Sequence, residues 1–299
     1  MSRGMMLLFY QKLKKMIFMF PQWRFWNQIF QYMFAKHIAI GNEKIVTTDA
    51  PYFGIIDEPT EKFKIIRTWK YFRYINFWLN KIFFILAKCR IITYVRQKYI
   101  YHGWFSIQTT WYVISKGLFW KIKFIDWFFV NEDKHIIWKS LSIHKKYIHT
   151  ANNFLSQIPK DYHKVFVHIR RWDYLEWSVL WQEDVSIPPS YYKDQIDFFQ
   201  KKYKNVFFVF LSDDIDYVKN EFGYLKNALF SKNDFWTDFA IMTLCDGAIL
   251  SVSTLSYLWA YFMKNRIEIF APKYRLWFKK KIWYPEWIVT EKFDFVDTD

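Results

Sequence analysis

From Val165 to Phe270, short apolar runs alternate with segments whose apolar positions recur at helical spacing. Val165–Ile169 is a mostly apolar run that ends at Arg170 and reads as a buried strand. Pro188 and Pro189 then open a helix over Ser190–Lys202. Asn205–Leu211 is a second buried strand ending in Ser212-Asp213-Asp214, and Asp214–Phe222 is a short helix closed by Gly223. Asp234–Leu244 and Leu255–Met263 read as helices, with Ala248–Ser251 and Ile267–Phe270 as strands. This alternation predicts a parallel α/β sheet. Such sheets bind ligands at the carboxyl ends of their strands. Here those ends carry Arg170–Asp173, Ser212–Asp214, Ser251–Ser256 and Pro272–Lys273.

The first half is less regular. Lys15–Phe20 reads as a strand, and Asn27–Ile40 as a helix with apolar Ile29, Phe30, Met33, Phe34 and Ile38 behind an Asn27 cap. Over 43–135 aromatic runs fit core helices and strands equally, although Tyr71–Leu86, broken by Arg73, Asn76, Asn80 and Lys81, suits an amphipathic helix. Leu141–Leu155 looks helical. The longest uncharged run, Gly247–Met263, holds Ser251, Ser253, Thr254 and Ser256, so it reads as strand, polar loop and helix, not as a membrane span. A soluble, cytoplasmic protein is expected, with peripheral contact to anionic membrane through its basic aromatic surface.

Composition narrows this. At about 150 residues per domain, 299 residues suggest two domains, and 53% hydrophobic residues exclude general disorder. Seven glycines stand where average usage gives roughly twenty, while Phe, Tyr and Trp fill 24% of the chain. Cys89 and Cys245 form no C-x-x-C, which argues against a disulfide scaffold or zinc site and for a reducing compartment. The net charge of +15 suits an anionic partner (nucleic acid, acidic lipid or a phosphorylated substrate) as well as a merely solvated basic surface.

Three strand ends carry candidate chemistry. In Val167–Tyr174, Arg170 and Arg171 could clamp a diphosphate, with Asp173 orienting one of them; an ordinary Arg–Asp surface pair reads equally well. Ser251–Ser256 places hydroxyls and amides at a helix N-terminus, for an anion or for capping alone. Ser212-Asp213-Asp214 could accept hydrogen bonds from a base or ribose, or cap the next helix.

Together these segments resemble the α-1,2-fucosyltransferase family, glycosyltransferase family 11. His168–Tyr174 is similar to the family's H-I-R-R-G-D-Y, Leu211–Asp214 to F-S-D-D, Asp238–Asp246 to D-M-x-L-M-S-x-C-D, and Leu250–Tyr261 to A-N-S-T-F-S-W-W-G-A-Y. Trp26–Phe34 resembles G-N-Q-M-F-Q-Y-A-F, His102–Phe105 the G-Y-F/W piece, and Ala271–Trp287 the A-P-K-x-W closing segment, in order over roughly residues 15 to 290. The resemblance implies an α/β, GT-B-like fold of two Rossmann-like domains facing a cleft. Residues 1–160 would form the acceptor side and 161–299 the nucleotide-sugar side, with the C-terminal segment able to pack back on the first domain.

The implied reaction is inverting transfer of L-fucose from GDP-fucose to the 2-hydroxyl of a terminal galactose on a glycan, with no metal or other cofactor and no nucleic-acid partner. Arg170, Arg171 and Asp173 would be catalytic. His168, Ser212, Asp213, Asp214, Ser253, Thr254 and Ser256 would hold the donor, and Asn27 and Gln28 would lie at the acceptor or cleft side. Asp214-Ile215-Asp216 is formally a D-x-D, but it falls at a helix start inside the S-D-D segment.

The departures from the family are concentrated at glycines. Trp172 replaces the glycine of R-R-G-D, Trp259 the one after the tryptophan pair, and Trp287 another near the end. Trp23-Arg24-Phe25-Trp26 stands where the family has G-G-x-G, and Val252 where it has asparagine. Glycine permits positive φ or close approach to a ligand, and tryptophan permits neither cheaply. The alternative expectation is therefore a catalytically impaired member that binds nucleotide or glycan without efficient turnover.

Overall fold

The computed structural model describes residues 15–20, 34–36, 38–39, 41, 43–48, 63–66, 71–102, 106–125, 143–171, 175, 186–253, 256–257, 260, 263, 266–274 and 292–298. The chain divides into two compact units, Met1–His102 with Ile107–Ser142, and Gly103–Ser106 with Ile143–Asp299.

In the first unit the described elements are β1 (Met16–Met19), β2 (Lys44–Thr48), β3 (Phe63–Ile66), α1 (Phe72–Lys88), β4 (Ile92–His102), β5 (Ser106–Ser115) and β6 (Phe119–Ile125). The strands form one sheet in the order β3-β2-β1-β6-β4-β5. β1 lies parallel to β2 and β6, and β6 parallel to β4 with a register shift between Ile92 and Thr93. Among its described residues, the segment whose pattern fitted helix and strand equally thus holds one helix and five strands. Of Asn27–Ile40, the described residues 34–36 and 38 are helical, and the expected Asn27 cap lies outside the described residues.

α1 is amphipathic in an unexpected sense. Asn76 and Asn80 are buried, at 3% and 7% exposure, on the side facing the sheet. Thr48 Oγ1 donates to Asn76 Oδ1 at 2.6 Å, and Asn80 Nδ2 donates to the Phe20 carbonyl at 3.2 Å and the Asn76 carbonyl at 2.9 Å. Hydrogen bonds remove most of the cost of burying such amides, so they can sit inside. Among the described residues, no helix is long and apolar enough to cross a membrane.

The second unit holds α2 (Lys145–Leu155), β7 (His163–Ile169), α3 (Pro189–Lys202), β8 (Val206–Ser212), α4 (Ile215–Phe222), β9 (Ala228–Phe230), α5 (Phe235–Leu244), β10 (Gly247–Ile249), β11 (Ile269–Pro272) and β12 (Asp294–Val296). Its sheet has the order β12-β11-β10-β7-β8-β9, every pair parallel. Val165, Phe166 and Val167 of β7 and Phe208, Val209 and Phe210 of β8 are fully buried. Helices covering both faces of a parallel sheet account for near-continuous apolar strands. Tyr191, Tyr192, Ile196 and Phe199 of α3 pack with Val218 and Phe222 of α4 against one face.

Local chemistry sets the helix ends. Pro188, at φ −64 and ψ 148, leads into α3. The Asp214 side chain caps α4 at the Tyr217 amide, and Asp234 caps α5 at Trp236 and Thr237. Gly223 closes α4 as the sequence predicts, at φ −65, in the right-handed region. A Cβ at this position would lie 2.4 Å from the Lys219 carbonyl oxygen, and close approach is what demands the glycine.

Candidate active site

In the second sheet the chain runs from β7 outward to β8 and β9, then returns to β10 on the other side of β7. The strand order therefore reverses between β7 and β10, and the carboxyl ends of strands at such a reversal are where doubly wound sheets bind ligands. Arg170 and Arg171 follow β7, Leu250–Ser253 follow β10, and Ser212-Asp213-Asp214 end β8.

His168 sits one residue before the end of β7, buried, with Nδ1 2.7 Å from Ser251 Oγ. This contact ties the two strands that flank the reversal. Burial, and then the neighbouring Arg170 charge, push the His168 pKa down to about 3. The ring is therefore neutral at physiological pH and serves as a hydrogen-bonding group, not a cation.

The two arginines are held differently. Arg171 donates its backbone N–H to Asp213 Oδ1 at 2.9 Å and its Nε–H to Asp214 Oδ2 at 3.1 Å. Its guanidinium lies 3.5 Å from the centroid of the Tyr217 ring, a stacked cation–π contact. Asp214 Oδ1 meanwhile accepts from the Tyr217 amide at 3.2 Å, and the Asp214 amide donates to Ser212 Oγ at 2.9 Å. Arg171 also lines a small cleft with Ile169, Ile187, Pro189, Tyr192, Tyr217 and Phe222, on the α3–α4 side. Arg170 reaches the same cluster at longer range, its Nε 4.0 Å from Asp213 Oδ2. Ser212, Asp213 and Asp214 thus brace the arginine loop and cap α4 together.

The hydroxyl segment after β10 is turned inward. Ser256 Oγ donates to the carbonyls of Ser251 and Ser253 at 3.3 and 3.2 Å, and the Ser253 amide donates to the Ser251 carbonyl at 2.7 Å. Ser251, Ser253 and Ser256 are all buried. Asp173, Thr254, Asn27 and Gln28 lie outside the described residues, as do Trp172, Trp259, Trp287, Trp23 and Trp26.

Some site residues had no role from sequence. Tyr217, three residues past the Asp214 cap, is the platform under Arg171, and that spacing was the available signal. Tyr191 Oη donates to the Leu250 carbonyl at 3.2 Å and anchors the end of β10 to α3. Asp238, within a family-like segment, accepts a hydrogen bond from Ser231 Oγ just past β9. Burial pushes the Asp238 pKa up to about 7; the Ser231 hydrogen bond opposes the shift and the Asp234 charge adds to it.

Comparison with known proteins agrees with this geometry. Galactoside 2-alpha-L-fucosyltransferase SEC1 of Bos taurus is 23% identical over 181 residues, covering 54% of this chain and 48% of its own length. Galactoside alpha-(1,2)-fucosyltransferase 1 of Homo sapiens is 22% identical over 163 residues, covering 50% and 44%. The chain spans about half the length of the curated relatives it matches. Among solved structures, POFUT1 in complex with GDP-fucose superimposes with a TM-score of 0.51 at 14% identity, covering 84% of this chain and 95% of that one. The fold is GT-B-like, with two Rossmann-like α/β units. Residues 16–291 match the profile of Glycosyl transferase family 11, a span that takes in β1, the His168–Arg171 strand end and the segment after β11, and the chain belongs to that family.

Proposed function

We propose that the protein is an inverting fucosyltransferase that moves L-fucose from GDP-fucose to the 2-hydroxyl of a terminal galactose on a glycan. The observation that carries this is the Arg170–Arg171 pair at the order reversal of the second sheet, in a chain of family 11 whose curated relatives are galactoside 2-fucosyltransferases. The galactose hydroxyl attacks the fucose anomeric carbon, the bond to the β-phosphate oxygen breaks, and GDP leaves with the electron pair. Negative charge builds on the departing diphosphate, and a fixed cation there stabilises the transition state more than the ground state.

The arginines divide the work. Arg171 is held by Asp213, Asp214 and Tyr217 and fixes the loop, and we assign the diphosphate to Arg170, whose Nε is the farther from its carboxylate, 4.0 Å from Asp213 Oδ2. Neutral His168 and Ser251 set the end of β7 beside β10. Asp173 takes the hydroxyl proton or orients an arginine, and the pH profile of Asp173→Asn distinguishes the two. The reading calls for no metal, and it is supported by both Asp214 carboxylate oxygens accepting protein donors, from Arg171 and from the first turn of α4.

The test is GDP release from GDP-fucose, dependent on a galactoside acceptor and unchanged by chelator, with the product linkage read by NMR. Calorimetry showing a preference for UDP over GDP overturns the donor. The tryptophans at family glycine positions favour a second reading, a member that binds nucleotide or glycan with little turnover. GDP binding without acceptor-dependent GDP release selects it.

A further inference from the structure

The outer face of α1 carries what the inner face of a helix normally carries. Tyr74, Phe77, Trp78, Ile82 and Ile85 are between 46% and 66% exposed. At 100° per residue they fall within an arc of about 140°, along a helix roughly 25 Å long. The helix cannot be turned to hide them, because Asn76 and Asn80 are hydrogen-bonded on the opposite side to Thr48 and to the Phe20 carbonyl. A contiguous apolar surface of this kind marks an interaction site more often than chance exposure.

The charge on the same face selects the partner. Lys81 lies on this arc, its Nζ 4.4 Å from the Phe77 ring centroid and 5.6 Å from that of Trp78. Lys88 lies on it one turn beyond Ile85, its Nζ 5.2 Å from the Phe84 centroid. α1 contains no acidic residue, and the chain carries a net +15. Two copies meeting through this face would bring lysines against lysines. A neutral apolar protein surface would leave the ammonium groups without counter-charge. A bilayer with acidic headgroups offers an apolar layer for the rings and negative charge at the depth of the lysines.

We propose that the outer face of α1 is a docking surface for an anionic lipid bilayer, with the helix lying in the plane of the interface. At 17 residues with Lys81 at its middle, α1 is suited to lying on a membrane and not to spanning one. The surface belongs to the first unit and shares no residue with the Arg170–Arg171 site, so it stands or falls apart from the fucosyl-transfer reading.

The experiment is co-sedimentation of the full chain with phosphatidylcholine vesicles, with and without about 30% phosphatidylserine, at low and at roughly physiological salt. Binding is expected only with phosphatidylserine present and weakens as salt rises. Each basic residue at such a surface is worth roughly fivefold in affinity. Lys81→Glu/Lys88→Glu should therefore lose at least about tenfold, and Trp78→Ser/Ile85→Ser a similar factor. Thermal unfolding and GDP affinity should stay as in the unaltered chain. Absence of binding to the anionic vesicles at low salt overturns the proposal. So does retention of binding by both variants, which assigns the attraction to scattered surface lysines. A vesicle-free dimer seen by analytical ultracentrifugation and abolished by Trp78→Ser/Ile85→Ser overturns it in favour of a second copy of the chain.

Discussion

Arg171→Lys and Arg170→Lys should fail in different ways. Lysine keeps the charge at 171 but loses the Nε–H aimed at Asp214 and the flat group stacked on Tyr217. A hydrogen bond to a charged partner is worth about 1.5–3 kcal/mol, and the low end applies because the two side chains are 22% and 23% exposed. The cation–π contact adds about 0.5–1 kcal/mol, for a total near 2 kcal/mol. For a domain of this size each kcal/mol moves Tm by roughly 2–4 °C, so Arg171→Lys should melt roughly 4–8 °C lower.

Arg170→Lys keeps a cation beside Asp213 and should lower Tm by less than Arg171→Lys does, while kcat should fall on the order of 10²-fold or more, because a point charge replaces the planar fork at the departing diphosphate. Thermal unfolding by circular dichroism and initial rates of acceptor-dependent GDP release give both numbers on the same preparations. An Arg171→Lys protein with unaltered Tm and abolished turnover, beside a fully active Arg170→Lys protein, refutes the division of labour.

Asp238 titrates near 7 when folded and near 3.8 when unfolded, so its contribution to stability is fully present below about pH 4 and lost as pH rises through 7. Asp238→Asn should therefore gain stability relative to the parent between pH 4 and 8, read by urea unfolding across that range; an unchanged pH dependence contradicts the assigned burial. His168 has the opposite sign: its folded pKa of about 3 lies below the ordinary 6.5, so its contribution is present above 6.5 and lost as pH falls toward 3. The imidazole protons of His168 should show no titration by NMR between pH 5 and 8, and a midpoint within that window shows the ring to be solvated. Gly223→Ala should lose about 1–3 kcal/mol in urea unfolding because the added Cβ meets the Lys219 carbonyl oxygen, whereas a neutral result means that the end of α4 relaxes freely.

Much of the second unit was legible because its signals are local. Apolar runs, the Pro188-Pro189 lead-in and the Asp214 and Asp234 caps act within a few residues, and they placed β7, α3, β8, α4 and α5 within one or two residues of the structure. Short β9 and β12 lack such punctuation. In the first unit, runs of aromatic and β-branched residues have the composition of a buried helix as much as of a strand, so periodicity alone could not separate β2 to β6 from core helices.

The sequence by itself determined the α/β class, the family-like order of segments and the identity of the candidate chemistry at the strand ends. Only the tertiary structure decided what each of those residues does. His168 and Ser251 are 83 residues apart, and they meet because the strand order reverses between β7 and β10. From sequence, either arginine could face phosphate. In the fold, Asp213 and Asp214 reach across from β8 and hold Arg171, a pairing of residues 42 and 43 apart that no local pattern encodes. The same holds for α1, where polarity predicts Asn76 and Asn80 outside, yet the Thr48 hydroxyl on β2 and the Phe20 carbonyl just past β1 draw them in and turn the aromatics out. A residue's chemistry is local, but its partner is set by which strands become neighbours, and that depends on the packing of the whole sheet.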